Sequence, residues 1–297
     1  MWCILIMISF IFILLFLYVF YPYYFILNIN EKRSLISKNI IDSDIPYYKH
    51  KIITSHNTFV RGFQIFDASS YNSIRRALRA GARAIEFDIH PSRDDPNIPI
   101  VSHAAKIFDK LIYFTTPLPL ESCLDIVNEF TYKTSDPIVI FLQLETNDNP
   151  ILQKNIADIF KKVFGNKLLD NKYKLSKSPF FLEPIKNLLN KVIVIAGLSS
   201  KQIIGLEDII DCTLYGGNII NKDHINALDV NNINQTKLAR VYRKGGVFSE
   251  LSLNYDPYDY WNKHYQFVAI NLQRNGAVLY NYLRDFDDSN TSFIPFN

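Results

Sequence analysis

The sequence predicts an α/β protein in which parallel strands alternate with outer helices, arranged either as a barrel or as a doubly wound sheet. After residue 46, short apolar runs alternate with amphipathic stretches, as expected for strands and helices in turn. No glycine-rich phosphate loop follows any of these runs, which disfavours a nucleotide-binding sheet. The predicted strands are residues 51–55, 83–89, 98–102, 137–144, 191–196 and 266–271.

A helix is predicted between the first two strands. Ser70 has the short polar side chain that is typical of an N-cap. Ile74, Ala77 and Leu78 then repeat at helical spacing and form one apolar stripe. Gly81 follows the stripe and is a typical helix terminator.

Composition excludes several classes of protein. The 297 residues are 48% hydrophobic, which is enough for a substantial core. The formal net charge is only +3, from 32 basic and 29 acidic residues spread along the chain, so nothing indicates a nucleic-acid partner. Cys3, Cys123 and Cys212 form no CxxC or CxxH spacing, and therefore neither a zinc site nor a disulfide framework is expected.

The first 30 residues predict a membrane anchor. Residues 2–30 contain no Asp, Glu, Lys or Arg and exceed the roughly 20 apolar residues that cross a bilayer. A signal peptide, which would show a basic start and a small-residue cleavage site, and a buried core helix are the alternatives. Lys32, Arg33 and Lys38 follow the segment, so the rest of the chain is expected on the cytosolic side of a single-pass membrane protein. Residues 31–46 are expected to be a polar tether.

Polar side chains gather where the predicted strands end. Because residues two apart in a strand share a face, Glu86 and Asp88 must point the same way, and their repulsion calls for a cation between them. In a parallel barrel the side chains at all these strand ends would meet around one opening. The set consists of His56, Asn57, Glu86, Asp88, His103 and Glu145.

The donor types in this set indicate a hard metal ion. Asn57, Glu86, Asp88 and Glu145 offer only oxygen. Calcium and magnesium prefer oxygen ligands, whereas zinc more often recruits histidine or thiolate. His56 and His103 then remain for proton transfer and charge stabilisation. His90 and His264 are interpreted as structural or surface residues.

Several stretches resemble the eukaryotic-type phosphoinositide-specific phospholipase C family. "SHNTF", "GARAIEFDI", "IPIVSHAAKIF" and "DPIVIFLQLE" follow in the order and spacing of its X half, and "LARVYRKG" and "NYDPYDYWNKHYQFVAINLQ" are similar to its Y half. The resemblance implies a distorted (β/α)8 TIM barrel formed by the two halves, occupying residues 47–297 after the anchor (1–30) and the tether. The X half would span about 47–165, a linker 166–188, and the Y half 189–285.

The resemblance also implies residue roles and a reaction. Ca²⁺ would be held by Asn57, Glu86, Asp88 and Glu145, with His56 and His103 catalytic, and with Arg240 and Tyr242 in contact with the substrate. The implied enzyme is a phosphoric diester hydrolase. It would cleave membrane phosphoinositides to diacylglycerol and inositol phosphate through a cyclic phosphodiester. A lipid bilayer is the implied partner surface, and no obligate protein partner is evident.

One departure from the family bears on the substrate. Where the family carries two lysines that grip ring phosphates, this sequence has Ile195 and Gly197, so a weaker preference for the bisphosphate lipid is expected. Two alternatives remain open. One is a membrane-tethered lipid-binding pseudoenzyme. The other is a glycerophosphodiester phosphodiesterase, but the resemblance to that class would imply the motif His-Arg-Gly at the end of the first strand, where this sequence has Ser-His-Asn-Thr.

Overall fold

The computed structural model describes residues 6, 9–14, 43–62, 68–107, 110–145, 149–197, 203–215, 217–228, 237–243, 254–274 and 276–296. Its strands, in chain order, are β1 His50–Ser55, β2 Ala84–Pro91, β3 Pro99–Val101, β4 Ala104–Ile107, β5 Lys110–Tyr113, β6 Leu118–Pro119, β7 Ile138–Leu144, β8 Val192–Ala196, β9 Cys212–Thr213, β10 Ile219–Asp223, β11 Leu238–Tyr242, β12 Phe267–Ile270 and β13 Phe293–Pro295. The helices are α1 Tyr71–Arg79, α2 Leu120–Thr131, α3 Pro150–Phe164, α4 Tyr258–Trp261 and α5 Ala277–Asp288.

Eight parallel strands form a nearly closed barrel. Their order around the ring is β10, β11, β12, β1, β2, β7, β8 and β9. Within the described residues, β9 and β10 are not paired with each other, so the ring is open at that one place. The predicted α/β class is confirmed, and of the two predicted arrangements the barrel is the one observed.

The predicted helix after the first strand is also confirmed as α1. The hydroxyl of Ser70 accepts a hydrogen bond from the Asn72 amide at 3.2 Å, as an N-cap does. Gly81 has φ +94°, a conformation that glycine adopts without strain. The helix is therefore begun and ended by the residues that the sequence indicated.

Two apolar clusters divide the core. In β2, Ile85, Phe87 and Ile89 face outward into the layer between strands and helices, whereas Ala84 belongs to the cluster inside the barrel. The predicted alternation in this strand is thus confirmed, and Glu86 shares the inward face with Ala84.

The end at which the barrel strands begin is closed by apolar side chains, and we call it the floor. Its principal members are Tyr47, Phe180, Phe181, Ile185 and Phe293. Between α3 and β8 the chain forms four short 3₁₀ helices, Gly165–Lys167, Asn171–Ser176, Phe180–Leu182 and Ile185–Leu188. The amide of Tyr47 donates to the Glu183 carbonyl at 2.9 Å, which ties this segment to the chain just before β1.

The predicted third strand has the opposite direction from the one expected. The strand β3 pairs with β2 in antiparallel fashion, with Ile89 opposite Val101, and so it lies outside the parallel ring. Residues 98–102 carry the apolar signal of a strand, but that signal does not contain its direction. His103 consequently follows an antiparallel strand rather than a barrel strand.

The predicted membrane anchor is corrected. No helix within the described part of the chain is long and apolar enough to cross a membrane. Of residues 1–30, only residue 6 and residues 9–14 belong to the described part of the chain. The remainder of the predicted anchor, and the predicted tether up to residue 42, lie outside the described residues. The single-pass membrane location deduced from the anchor is withdrawn with it.

Candidate active site

Polar and charged side chains collect at the end of the barrel where the parallel strands finish, which we call the mouth. β1 leads into two of these residues, β2 and β11 carry two each, and one follows β12. The mouth residues are His56, Asn57, Glu86, Asp88, Arg240, Tyr242 and Asn271.

Glu86 lies at the centre of the described contacts in the mouth. Its side chain is 8% exposed, and its Oε1 accepts from the Arg240 Nη2 at 2.5 Å. Its Oε2 accepts from the Asn57 amide at 3.3 Å and lies 3.8 Å from the His56 Nε2. Burial would raise the pKa of the Glu86 carboxyl, but the charges of Arg240 and His56 and the two hydrogen bonds outweigh it, so the pKa is lowered. Glu86 is therefore an ionised, buried carboxylate.

Arg240 reaches Glu86 from the far side of the ring. Its guanidinium lies between two aromatic rings, 4.6 Å from the centroid of Phe141 and 5.2 Å from that of Tyr242. The Nε of Arg240 is buried and has no hydrogen-bond partner among the described residues. Burial raises the pKa of Tyr242, against the lowering effect of Arg240, so this phenol is neutral at physiological pH.

His56 is oriented by an amide that follows β12. Its Nδ1 lies 3.0 Å from the Oδ1 of Asn271, which accepts the ring N–H and leaves Nε2 directed toward Glu86. The His56 amide also donates to the Ile270 carbonyl at 2.9 Å. Burial lowers the pKa of His56, while the Glu86 charge and the Asn271 hydrogen bond oppose that effect.

The turn that follows β1 is fixed to β2 by backbone contacts. Asn57 has φ +43°, a left-handed conformation that asparagine tolerates better than most residues. The hydroxyl of Thr58 accepts from the Glu86 amide at 3.0 Å, and the Thr58 amide donates to the Glu86 carbonyl at 3.3 Å. These bonds place Asn57 directly beside the Glu86 carboxylate.

His103 is held near the mouth by the segment after β5. Its amide donates to the Thr115 Oγ1 at 3.0 Å, and its ring packs at 5.6 Å from that of Phe114. A charge on His103 lowers the pKa of His56, so the two histidines are close enough to interact electrostatically. That His103 shares the opening with His56 stays a prediction.

The other two predicted metal ligands are less enclosed. Asp88 is half-buried on the inward face of β2, opposite Gln143 of β7. Glu145 is exposed just beyond β7, and its amide donates to the Ile89 carbonyl at 3.0 Å. Within the described residues, no three of the His, Cys, Asp and Glu side chains are grouped closely enough to hold a metal ion.

The residues nevertheless suit a hard divalent cation chemically. The four predicted ligands offer only oxygen donors, which calcium and magnesium prefer. The Arg240 guanidinium already lies 2.5 Å from Glu86 in this buried position, so one proposed ligand has a cationic partner from the protein itself. The predicted calcium site thus agrees with the donor chemistry, while its assembled geometry stays a prediction.

The two positions that depart from the family lie on β8 and just beyond it. Ile195 is fully buried inside the barrel, packed in the interior cluster. Gly197 lies against Gln143, because a Cβ at position 197 would come within 2.7 Å of the Gln143 Oε1. Neither position presents a charged group to the mouth.

Sequence reasoning missed three residues that shape the mouth: Thr58, Gln143 and Asn271. Asn271 follows an apolar strand, and this is the same signal that singled out His56 and Glu145. It was absorbed into the predicted strand 266–271, whereas β12 ends at Ile270. Thr58 and Gln143 carry no comparable local signal, because their roles depend on a neighbouring strand.

Comparison with known proteins identifies the class to which this barrel belongs. Residues 43–197 match the family described as "Phosphatidylinositol-specific phospholipase C, X domain". The match covers more than half of the chain, from just before β1 to the end of β8. The chain belongs to this family.

Two relatives among characterised proteins give the scale of the similarity. The chain is 33% identical over 128 residues to "Phosphoinositide phospholipase C 7" of Arabidopsis thaliana, which is 43% of this chain and 20% of that protein. It is 28% identical over 157 residues to "1-phosphatidylinositol 4,5-bisphosphate phosphodiesterase beta-1" of Bos taurus, which is 52% of this chain and 12% of that protein. The chain thus matches a quarter or less of the length of these two relatives.

Solved structures show the same fold over most of the chain. PLC21 of L. pealei superposes with a TM-score of 0.68 at 18% identity, over 86% of this chain and 38% of that one. A "calcium-dependent phosphoinositol-specific phospholipase C" from a Pseudomonas species gives 0.58 at 13% identity, over 88% of this chain and 98% of that one. At these identities the likeness concerns the fold alone.

Proposed function

We propose that this protein is a calcium-dependent phosphoinositide phospholipase C, a phosphoric diester hydrolase acting on phosphatidylinositol or its phosphates. The observation that carries the proposal is that a chain of this family places His56, the Asn57 amide and Arg240 around the Glu86 carboxylate at the mouth. A histidine, a buried carboxylate and an arginine are the groups needed to bind and cleave a phosphodiester.

His56 would stabilise the charge that develops on the phosphate. Because Nδ1–H is committed to Asn271, Nε2 is the atom that faces the reaction, and it donates a hydrogen bond only when the ring is cationic. The negative charges of Glu86 and of a bound phosphodiester both favour that cation. Activity should therefore fall as pH rises through the pKa of His56 in the complex.

Glu86 and His103 would act as the general base and the general acid of the reaction. Glu86 is ionised and lies beside His56, so it is suited to accept the proton of the attacking inositol hydroxyl. His103 would protonate the departing diacylglycerol oxygen. Water would then open the cyclic phosphodiester formed in the first step.

Asn57, Glu86, Asp88 and Glu145 would hold the calcium ion. When bound, the ion supplies charge that lowers the pKa of the attacking hydroxyl and neutralises the phosphate oxygens. Arg240 and Tyr242 would contact the headgroup, the arginine by charge and the half-buried phenol by its ring face.

The headgroup preference follows from the wall around Gly197. Ile195 is buried and Gly197 is covered by the Gln143 amide, so neither of these two positions offers a positive charge to ring phosphates. Phosphatidylinositol or a monophosphate should therefore be preferred over the bisphosphate, relative to enzymes that have lysines at these two positions.

The test is the release of soluble inositol phosphate from vesicles of phosphatidylinositol, its monophosphates or the bisphosphate, with calcium or with chelator. His56→Ala is expected to lower turnover about 10³-fold, since it removes the charge-stabilising group. His264→Asn is the matched control. His264 lies before β12, remote from the mouth, and its φ of +63° suits asparagine.

Each part of the proposal has its own contrary outcome. Turnover that is unchanged by chelator would contradict the calcium requirement, and equal losses in the two histidine variants would contradict the role of His56. A wild type that binds phosphoinositide vesicles but hydrolyses none of the lipids would instead support the lipid-binding pseudoenzyme.

A further inference from the structure

The pairing of Glu86 with Arg240 has a consequence for the proposed calcium site. Glu86 is both a proposed ligand of the metal and the acceptor of the shortest described ion pair in the mouth, at 2.5 Å. Both side chains are buried, with exposures of 8% for Glu86 and 3% for Arg240. This inference rests on the proposed function and concerns how the same site is controlled.

Both oxygens of Glu86 are engaged. Oε1 accepts from Arg240, and Oε2 accepts from the Asn57 amide while facing His56. A buried carboxylate needs a positive partner, because an uncompensated charge away from water is strongly unfavourable. Arg240 supplies that partner from β11, 154 positions later in the chain.

A metal ion and Arg240 compete for this carboxylate. Two positive groups on one carboxylate oxygen repel each other, and the repulsion is strong in a buried site where water screens little. Because Oε2 already accepts from the Asn57 amide, a divalent cation that binds at Oε1 has to displace Arg240. Breaking the ion pair between Arg240 and Glu86 costs free energy, and the affinity for the cation is lowered by that amount.

The Arg240 guanidinium has other favourable contacts when it leaves Glu86. Its guanidinium lies between the rings of Phe141 and Tyr242, a position that stabilises a cation without Glu86. Its buried Nε has no partner among the described residues, so the guanidinium has hydrogen-bonding capacity to offer. A phosphate group of a bound headgroup is the anion that would take it.

We propose that Arg240 is an internal counter-cation that holds Glu86 until a divalent cation displaces it, and that the displaced guanidinium then binds an anionic group of the substrate. Arg240 in this state is an autoinhibitory contact that lowers the affinity for calcium. By linkage, calcium favours headgroup binding and a headgroup phosphate favours calcium binding, each by the same factor.

The experiment is a calcium titration by isothermal calorimetry on the purified full chain, without lipid. The variants are Arg240→Gln, which removes the competing charge, and Arg240→Lys, which keeps a charge but loses the planar guanidinium. Lys222→Gln is the control, because Lys222 is an exposed cation on β10, next to β11. It reports the effect of removing one positive charge without touching Glu86.

Arg240→Gln is expected to bind calcium about tenfold more tightly than the wild type, within the usual range for coupling between two groups. Arg240→Lys should show a smaller gain in the same direction, and Lys222→Gln should stay within about twofold of the wild type, since it makes no contact with Glu86. The rise in melting temperature on adding calcium should follow the same order.

Calcium affinity in Arg240→Gln and Arg240→Lys that equals or falls below that of the wild type would overturn the inference and leave the calcium site standing. Absence of calcium binding in every protein, together with lipid hydrolysis in chelator, would instead overturn the calcium requirement itself. If Arg240→Gln does not fold, Arg240→Lys decides, because a lysine still neutralises Glu86 partly.

Discussion

Among the buried ion pairs of the described residues, one at the mouth and one beneath the barrel differ in their surroundings. At the mouth, Arg240 and Glu86 meet at 2.5 Å. Beneath the barrel, Lys174 of the segment between α3 and β8 meets Asp211, just before β9, at 2.7 Å. In both pairs each side chain is less than a tenth exposed.

The lower pair is completed by backbone groups. Asp211 also accepts from the Val194 amide at 2.8 Å, and Lys174 also donates to the Ile209 carbonyl at 3.3 Å. Burial raises the pKa of Asp211 to about 6, against the opposing effects of Lys174 and the Val194 amide. The pair joins elements of the fold and faces no catalytic group, which is the arrangement expected of a structural contact.

The pair at the mouth, Arg240 and Glu86, is surrounded by groups that can form other contacts when a ligand binds. Its carboxylate also faces His56 and the Asn57 amide, and the Arg240 Nε has no partner in the described part of the chain. The two pairs thus differ in their remaining hydrogen-bond partners. Backbone groups complete the Lys174–Asp211 pair, which stabilises the fold, whereas the Arg240–Glu86 pair keeps groups that are available for chemistry. The following three predictions test this difference.

The largest effect is expected at the mouth, from Glu86→Gln. Loss of this carboxylate should lower turnover about 10³-fold, which corresponds to about 4 kcal/mol, because it replaces a charged metal donor by a neutral one and removes the charge beside His56. Glu183→Gln is the control, since Glu183 accepts from Tyr173 and Asn187 in the segment beneath the barrel. Lipid hydrolysis is the readout, and equal turnover in the two variants would place catalysis elsewhere.

The next effect concerns stability rather than turnover, from Lys174→Met. It should cost about 3 kcal/mol of unfolding free energy at pH 8, because Asp211 is left buried without its cation. The pKa of Asp211 is raised in the folded state, so its protonated form favours folding and that contribution is lost as pH rises through about 6. The cost should therefore shrink at pH 5.

Urea unfolding at the two pH values measures that cost, with the exposed Lys172→Met as the control that should change little. Turnover per folded molecule should stay at the wild-type level in Lys174→Met. A loss of stability that is the same at both pH values would show that Asp211 is not the responsible group.

The smallest of the three effects is expected from Asn271→Leu, which removes the acceptor for the His56 Nδ1–H. Turnover should fall roughly tenfold to a hundredfold, because the ring loses its orientation. The lost hydrogen bond normally raises the pKa of His56, so the variant should lose activity at lower pH than the wild type. A pH profile of turnover measures this shift, with the exposed Asn187→Leu as control. An unshifted profile would reduce Asn271 to a packing role.

The parts of the fold that the sequence predicts are those with a strong local signal. β1, β2, β7, β8 and β12 are apolar runs that lie in the barrel and were all predicted. The three barrel strands that were missed lack such runs. β9 has two residues, and β10 and β11 read IINKD and LARVY, where charged residues interrupt the apolar pattern.

The same limit applies to the site. His56 and Glu86 are recognised because polar residues at a strand end are conspicuous in the sequence. His56 pairs with Asn271, 215 positions later, and Glu86 pairs with Arg240, 154 positions later. A local sequence pattern cannot predict partners that are so far apart in the chain. The antiparallel direction of β3 was missed for a related reason, since apolar periodicity is the same in either direction.

These separations also determine when the mouth can form during synthesis. β1 and β2 leave the ribosome early, with Glu86 already in the chain, but its cationic partner arrives only with β11 and the orienting amide of His56 only after β12. Until then the carboxylate must remain in water, because burying it alone is unfavourable. The nascent amino-terminal half is therefore expected to leave the Glu86 carboxylate in water, and the pairing of the last strands is the step that completes the mouth.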